Sequence, residues 1–144
     1  MASLVDTNVL VYSYDARFPG KRGVATRLLR KGIETGSLRL PHQVLVEFVA
    51  VVTRPLPQGG SLLSLEEALQ QTEELLAELP VIYPNVDIVR LAVRGTATYR
   101  LSWFDAHLWA YAEYYGLEEI LTEDFEHGRL YGTVRAVNPF VKQK

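Results

Sequence analysis

The chain has no cysteine. That excludes disulfides and thiolate metal sites, so any bound metal must rest on oxygen ligands or on the three histidines. Long apolar runs are lacking too, and nothing in the sequence is suited to spanning a bilayer. Met1-Ala2-Ser3-Leu4 carries no basic residue and goes straight into a strand-like segment, so no signal peptide is expected. The expectation is a cytoplasmic protein with no membrane contact. An excess of charge of either sign is lacking as well. Fifteen Lys and Arg stand against 17 Asp and Glu, for a net charge of −2. There is no global attraction to nucleic acid, and any such binding needs a local basic patch. No repeat, low-complexity tract or composition break divides the sequence. Its 144 residues, 48% hydrophobic and 22% charged, suit one domain over 1–144 with a sizeable core.

Short apolar segments alternate with helical ones. Leu4-Val5 reads as a buried strand ending at Asp6, followed by a helix from Lys21 to about Thr35 that Gly36 stops. Leu38–Pro41 reads as a strand, Gln43 to Thr53 as an apolar helix, and Arg54 to Gly60 as a loop. Ser64 and Glu67 form a capping box. The helix that it opens carries Leu65, Ala68, Leu69, Thr72, Leu75, Leu76 and Leu79 on one face, and Pro80 ends it. Val81–Tyr83 suggests a third strand. Asp87 is the expected cap of a helix reaching Tyr99, and Ser102 of another from Trp103 to Tyr115, with Gly116 as its stop. Glu119–Thr122 and Val134–Val137 complete the strands, and the tail from Val141 to Lys144 is expected to fray. The alternation predicts an α/β fold with a mainly parallel central sheet.

Four acidic residues lie in apolar surroundings: Asp6 after Leu4-Val5, Glu47 between Val46 and Phe48, Asp105 beside Phe104, and Asp124 just after Ile120-Leu121-Thr122. A buried carboxylate is costly unless it is paired or binds a cation. In open α/β sheets, ligands bind outside the carboxyl ends of the strands. Asp6 and Asp124 each end a strand, Asp105 sits in the first turn of a helix that starts at the same rim, and Glu47 can reach it. Carboxylates gathered there stay ionised only if divalent cations neutralise them. All-oxygen ligation favours Mg²⁺ or Mn²⁺ over zinc.

Each residue also has a plain structural reading. Asp105 could serve the helix dipole, Asp6 an Asx cap, Glu47 an exposed helical stripe, and Asp124 a solvated loop that also holds Glu123 and Glu126. The joint arrangement argues for a site. A metal-free site built on His42, His107 and His127 is the competing chemistry, but Asp105 and His107 differ by two positions and share no helix face. Arg17, Lys21, Arg22, Arg27, Arg30 and Lys31 make a basic stretch that reads either as a phosphate-binding strip or as a solvated helix face. Arg90, Arg94 and Arg100 carry the same ambiguity. Tyr99, Trp103, Tyr111, Tyr114 and Tyr115 suit base stacking, or the core or an interface.

Four segments together match a known pattern. Val5-Asp6-Thr7-Asn8-Val9-Leu10, Gln43-Val44-Leu45-Val46-Glu47-Phe48, Leu101-Ser102-Trp103-Phe104-Asp105-Ala106 and Leu121-Thr122-Glu123-Asp124-Phe125 resemble the successive motifs of PIN-domain ribonucleases, and Val137-Asn138-Pro139-Phe140 fits the ending. The compact form is similar to the VapC-type toxins of prokaryotic toxin–antitoxin pairs. The resemblance implies a three-layer α/β/α sandwich and metal-dependent endonucleolytic cleavage of RNA that leaves a 5′-phosphate and a 3′-hydroxyl. It implies Asp6, Glu47, Asp105 and Asp124 as the catalytic acids, with Asp6, Asp105 and Asp124 on Mg²⁺ or Mn²⁺. Asn8, Ser102 and Thr122 would support them by hydrogen bonds. A VapB-like antitoxin and a homodimer are the implied partners. His107 departs from the aliphatic residue often found there and removes no expected ligand.

Other classes remain open from the sequence. A catalytically silent PIN-like module that only binds RNA or protein is one. An Mg-dependent phosphatase-like enzyme, or a receiver-type domain, is another. The phosphatase-like site wants a second acid two positions after its aspartate, where this chain has Asn8, and for both rivals no suitable lysine follows a later strand.

Overall fold

A computed structural model of the chain describes residues 2–141. The tail expected to fray, beyond Val141, lies outside them. Six strands form one sheet in the order β3-β2-β1-β4-β6-β5. They are β1 (Ser3–Val5), β2 (Leu38–Pro41), β3 (Val81–Ile82), β4 (Glu119–Leu121), β5 (Leu130–Tyr131) and β6 (Val134–Val137). All neighbours are parallel except β5, which returns antiparallel on β6. β1 lies inside the sheet, with Leu4 opposite Arg39 on one side and Ile120 on the other. Leu4 and Val5 are fully buried, as a parallel strand covered by helices on both faces requires.

The helices are α1 (Thr7–Tyr12), α2 (Pro19–Thr35), α3 (His42–Val52), α4 (Leu65–Glu78), α5 (Val86–Tyr99) and α6 (Trp103–Tyr114). α1 touches α2 and α3, α3 touches α4, and α5 packs extensively on α6. Right-handed crossovers between parallel strands place the first four helices on one face and α5 and α6 on the other, which gives the α/β/α sandwich. From β1 the chain steps outward to β2 and β3, then returns past β1 to β4. That reversal opens a crevice at the carboxyl ends of β1 and β4, the usual ligand position in open α/β sheets.

Several local expectations change. α1 has no counterpart in the sequence reading: Thr7, Val9, Leu10 and Val11 are all buried, so no amphipathic period marks it. α2 begins two residues earlier than expected, with Pro19 in its first turn, where a missing N–H costs nothing. Asn85, not Asp87, caps α5: its side chain accepts from Ile88 N at 3.0 Å, and Asp87 falls in the first turn. The capping box at Ser64 and Glu67 is present. The expected apolar face of α4 divides: Ala68, Leu75 and Leu79 are buried, while Leu65, Leu69 and Leu76 are exposed. No helix among the described residues is long and apolar enough to cross a membrane.

Candidate metal centre

Asp6 is the single residue between β1 and α1, and it serves both. Its N–H continues the sheet by donating to Leu121 O at 3.0 Å. Its side chain caps α1, with Oδ1 accepting from Thr7 N at 2.6 Å. The carboxylate is only 3% exposed. Oδ2 accepts from Thr122 Oγ1 at 2.7 Å and from Asn8 Nδ2 at 3.3 Å. Asn8 Nδ2 also donates to Asp124 Oδ2 at 3.0 Å, and Thr122 Oγ1 accepts from Asp124 N at 3.1 Å. Asn8 and Thr122 therefore tie the end of β1 to the loop after β4.

Asp105 enters from the first turn of α6, whose cap Ser102 accepts from Asp105 N at 3.1 Å. Carboxylate oxygens of Asp6, Asp105 and Asp124 all lie within 4.8 Å of one another. An octahedral shell at the Mg²⁺–oxygen distance places neighbouring and opposite ligands about 3–4 Å apart, close to the spread of these oxygens. The donor set is all oxygen, and beside it Asn8 Oδ1 is buried without a hydrogen-bond partner. These residues fit a hard divalent cation.

Glu47 lines the same cleft but stands outside this group of three. Thr7 Oγ1 donates to its Oε2 at 2.7 Å and Gln43 Nε2 to its Oε1 at 3.0 Å. Gln43 Nε2 also reaches Phe104 O at 3.3 Å, linking α3 to the residue before Asp105. Sequence reasoning missed both Thr7 and Gln43. The four-residue spacing of Gln43 and Glu47 on one helix face was the available signal. Nothing in the sequence placed Thr7 against α3.

The neighbouring loop acids are engaged elsewhere. Glu123 accepts from Tyr12 Oη at 2.7 Å and from Lys21 Nζ at 3.0 Å, and Glu126 pairs with Arg129 at 3.4 Å. Among the described residues no histidine lines the cleft. His42 stacks on Tyr83, His107 Nδ1 lies 2.7 Å from Trp103 O, and His127 Nδ1 accepts from Asn138 N at 2.9 Å. Of the candidate stacking residues, Tyr111 is core, Tyr99 packs on Trp109 and Tyr131, and Trp103, Tyr114 and Tyr115 are exposed.

The cleft has a volume of about 350 Å³. Its electrostatics follow from crowding acids in a dry place. Burial pushes the Asp6 carboxyl up to about 7; hydrogen bonds from Thr122 and Thr7 oppose this, and the Asp124 and Asp105 charges add to it. Asp105 is also raised, by burial first and then by Asp124. Without a cation the cleft tends to hold protons. A divalent ion replaces them and keeps the carboxylates ionised.

A family model described as the PIN domain matches residues 3–132. No curated protein sequence matches the chain. Among solved structures, a toxin–antitoxin complex from Klebsiella pneumoniae is similar, with 22% identity and a TM-score of 0.66 over 96% of this chain and 98% of that one. VapC20 of Mycobacterium tuberculosis, a toxin that cleaves the sarcin–ricin loop, has 18% identity and a TM-score of 0.64 over 83% and 87% of the two chains. VapBC2 of Rickettsia felis, bound to a promoter DNA fragment, has 12% identity and a TM-score of 0.68 over 94% and 97%.

Proposed function

Because the chain belongs to the PIN domain family, we propose that it is a divalent-metal-dependent endoribonuclease, the toxin of a VapBC-type toxin–antitoxin pair. The observation that carries this reading is the convergence of Asp6, Asp105 and Asp124 within 4.8 Å at the sheet's switch point. These three residues would hold Mg²⁺ or Mn²⁺. When bound, the ion supplies a water of lowered pKa and stabilises charge on the phosphoryl oxygens and the departing 3′ oxygen. Glu47, held by Thr7 and Gln43, hydrogen-bonds the attacking water and sets its direction. Asn8 and Thr122 each hydrogen-bond both Asp6 and Asp124 and so join the two proposed ligands. Water adds to phosphorus as the P–O3′ bond breaks, leaving a 5′-phosphate and a 3′-hydroxyl.

Two partners complete the reading. Toxin–antitoxin complexes among the structural neighbours support a VapB-like antitoxin. A groove of about 520 Å³ with an apolar floor of Leu10, Leu29, Ile33, Leu75 and Leu79 and the charged Arg30, Glu34 and Glu78 beside it would take a few apolar side chains of such a partner. Exposed apolar positions on α4 and α5 support a homodimer. The test is RNA cleavage by purified protein in Mg²⁺ or Mn²⁺. EDTA and Asp6→Asn each abolish it, and added antitoxin suppresses it. Cleavage that persists in EDTA, or full turnover by Asp6→Asn, contradicts the proposal.

A further inference from the structure

Asp15 is a second buried carboxylate, 3% exposed, in the turn after α1 and outside the three-acid group. Arg17 holds it from three directions. Arg17 N and Nε donate to Asp15 Oδ1 at 3.1 and 2.9 Å, and Nη2 donates to Oδ2 at 2.8 Å. Nη1 takes no part in these bonds, and the Arg17 side chain is 43% exposed. The Phe18 ring centre lies 5.6 Å from the guanidinium carbon and borders it on another side.

Neutralising Asp15 would by itself justify an arginine here. Its location adds something more. Arg17 and Asp15 line the same cleft as Asp6, Glu47, Asp105 and Asp124, and among the described residues Arg17 is the only Lys or Arg that does. Lys21 is committed to Glu123 and Tyr12. Arg22, Arg27, Arg30 and Lys31 are exposed along α2 and none lines the cleft, so most of the basic stretch is a solvated face. A polyanion entering a cleft lined by five carboxylates needs positive charge at more than one phosphate. A metal neutralises only the charge around itself.

We propose that Arg17 grips an RNA phosphate next to the scissile one, and that Asp15 is the positioning residue that presents its guanidinium to the cleft. A guanidinium already locked on one edge loses little freedom on binding and offers its remaining N–H groups to phosphate oxygens. The inference rests on the ribonuclease reading of the same cleft.

The test measures equilibrium binding of a short, fluorescein-labelled, single-stranded RNA of mixed sequence in Mg²⁺ at several salt concentrations. It uses Asp6→Asn protein so that the RNA stays intact. Adding Arg17→Met weakens binding about tenfold and lowers the salt slope by about one phosphate contact. Arg17→Lys keeps the slope but weakens binding, because an ammonium cannot form the fork. Asp15→Asn likewise keeps the slope while affinity falls. Unchanged affinity and slope in Arg17→Met, whatever its melting temperature, reduce Arg17 to a counter-ion for Asp15 and overturn the proposal. If Asp6→Asn binds no RNA, the series is repeated in Glu47→Gln protein, which keeps the three proposed metal ligands, and an absence of binding there overturns the proposal. If Arg17→Met does not fold, an Arg17→Lys protein binding as tightly as its parent overturns it. A wild-type protein that binds RNA in this Arg17-dependent way but never cuts it would contradict the ribonuclease reading and leave the phosphate contact standing.

Discussion

At the scale of the residue, Asp6 continues the sheet through its N–H and caps α1 through its side chain, and the proposed function adds metal ligation as a third duty. The cost of its burial shows in its proton affinity. Its folded pKa of about 7 lies above the ordinary carboxyl value of 3.8. The folded state therefore holds a proton that the unfolded chain releases between about pH 4 and 7. Without metal, Asp6 makes stability fall as pH rises through that window, and the penalty is complete above it. The raised Asp105 pKa acts in the same sense. Asp15, held below the ordinary carboxylate range by its Arg17 hydrogen bonds, acts oppositely and only at acid pH. Thermal melting in EDTA should show Asp6→Asn gaining stability over wild type as pH goes from 5 to 8. A wild-type minus variant difference that stays flat across that range would show that Asp6 is not paying for its burial.

At the scale of the element, α4 and α5 expose more apolar surface than a helix face in water needs. Leu65, Leu69 and Leu76 on α4, and Val86, Val89 and Val93 on α5, are all exposed. These helices precede and follow the edge strand β3. The proposed homodimer would cover this surface with a second copy. Leu69→Asp combined with Val89→Asp should convert a dimer to a monomer in light scattering while leaving the melting cooperative. A dimer that survives both substitutions places the interface elsewhere. The same two helices show what was legible beforehand. The 3.6-residue period and the Ser64–Glu67 box identified α4, but periodicity cannot say which half of a wide apolar stripe meets the sheet. α1 escaped because it is short and buried on nearly every side. β5 escaped because two residues on an antiparallel edge carry no repeat. The four acids were legible because each breaks an apolar run. Gln43 left only its four-residue spacing to Glu47 as a signal, and Thr7 left none, since its contact between α1 and α3 exists only after folding.

At the scale of the whole molecule, the parallel sheet does the assembling. Asp6 and Asp124 are 118 residues apart in the chain yet share a hydrogen bond donor in Asn8, because β1 and β4 are neighbours across the switch point. α6 starts at the same rim and delivers Asp105. A net charge of −2 leaves RNA attraction to local features: the metal and Arg17. RNA cleavage as proposed requires these three carboxylates to bind the ion together. Titration of Mn²⁺ at pH 8, followed by electron paramagnetic resonance of the free ion, is the direct measurement. Wild type should bind Mn²⁺, Asp6→Asn, Asp105→Asn and Asp124→Asn should each weaken binding at least tenfold, and Glu47→Gln should change it least, because Thr7 and Gln43 occupy its oxygens. Wild-type affinity in Asp6→Asn would contradict the account.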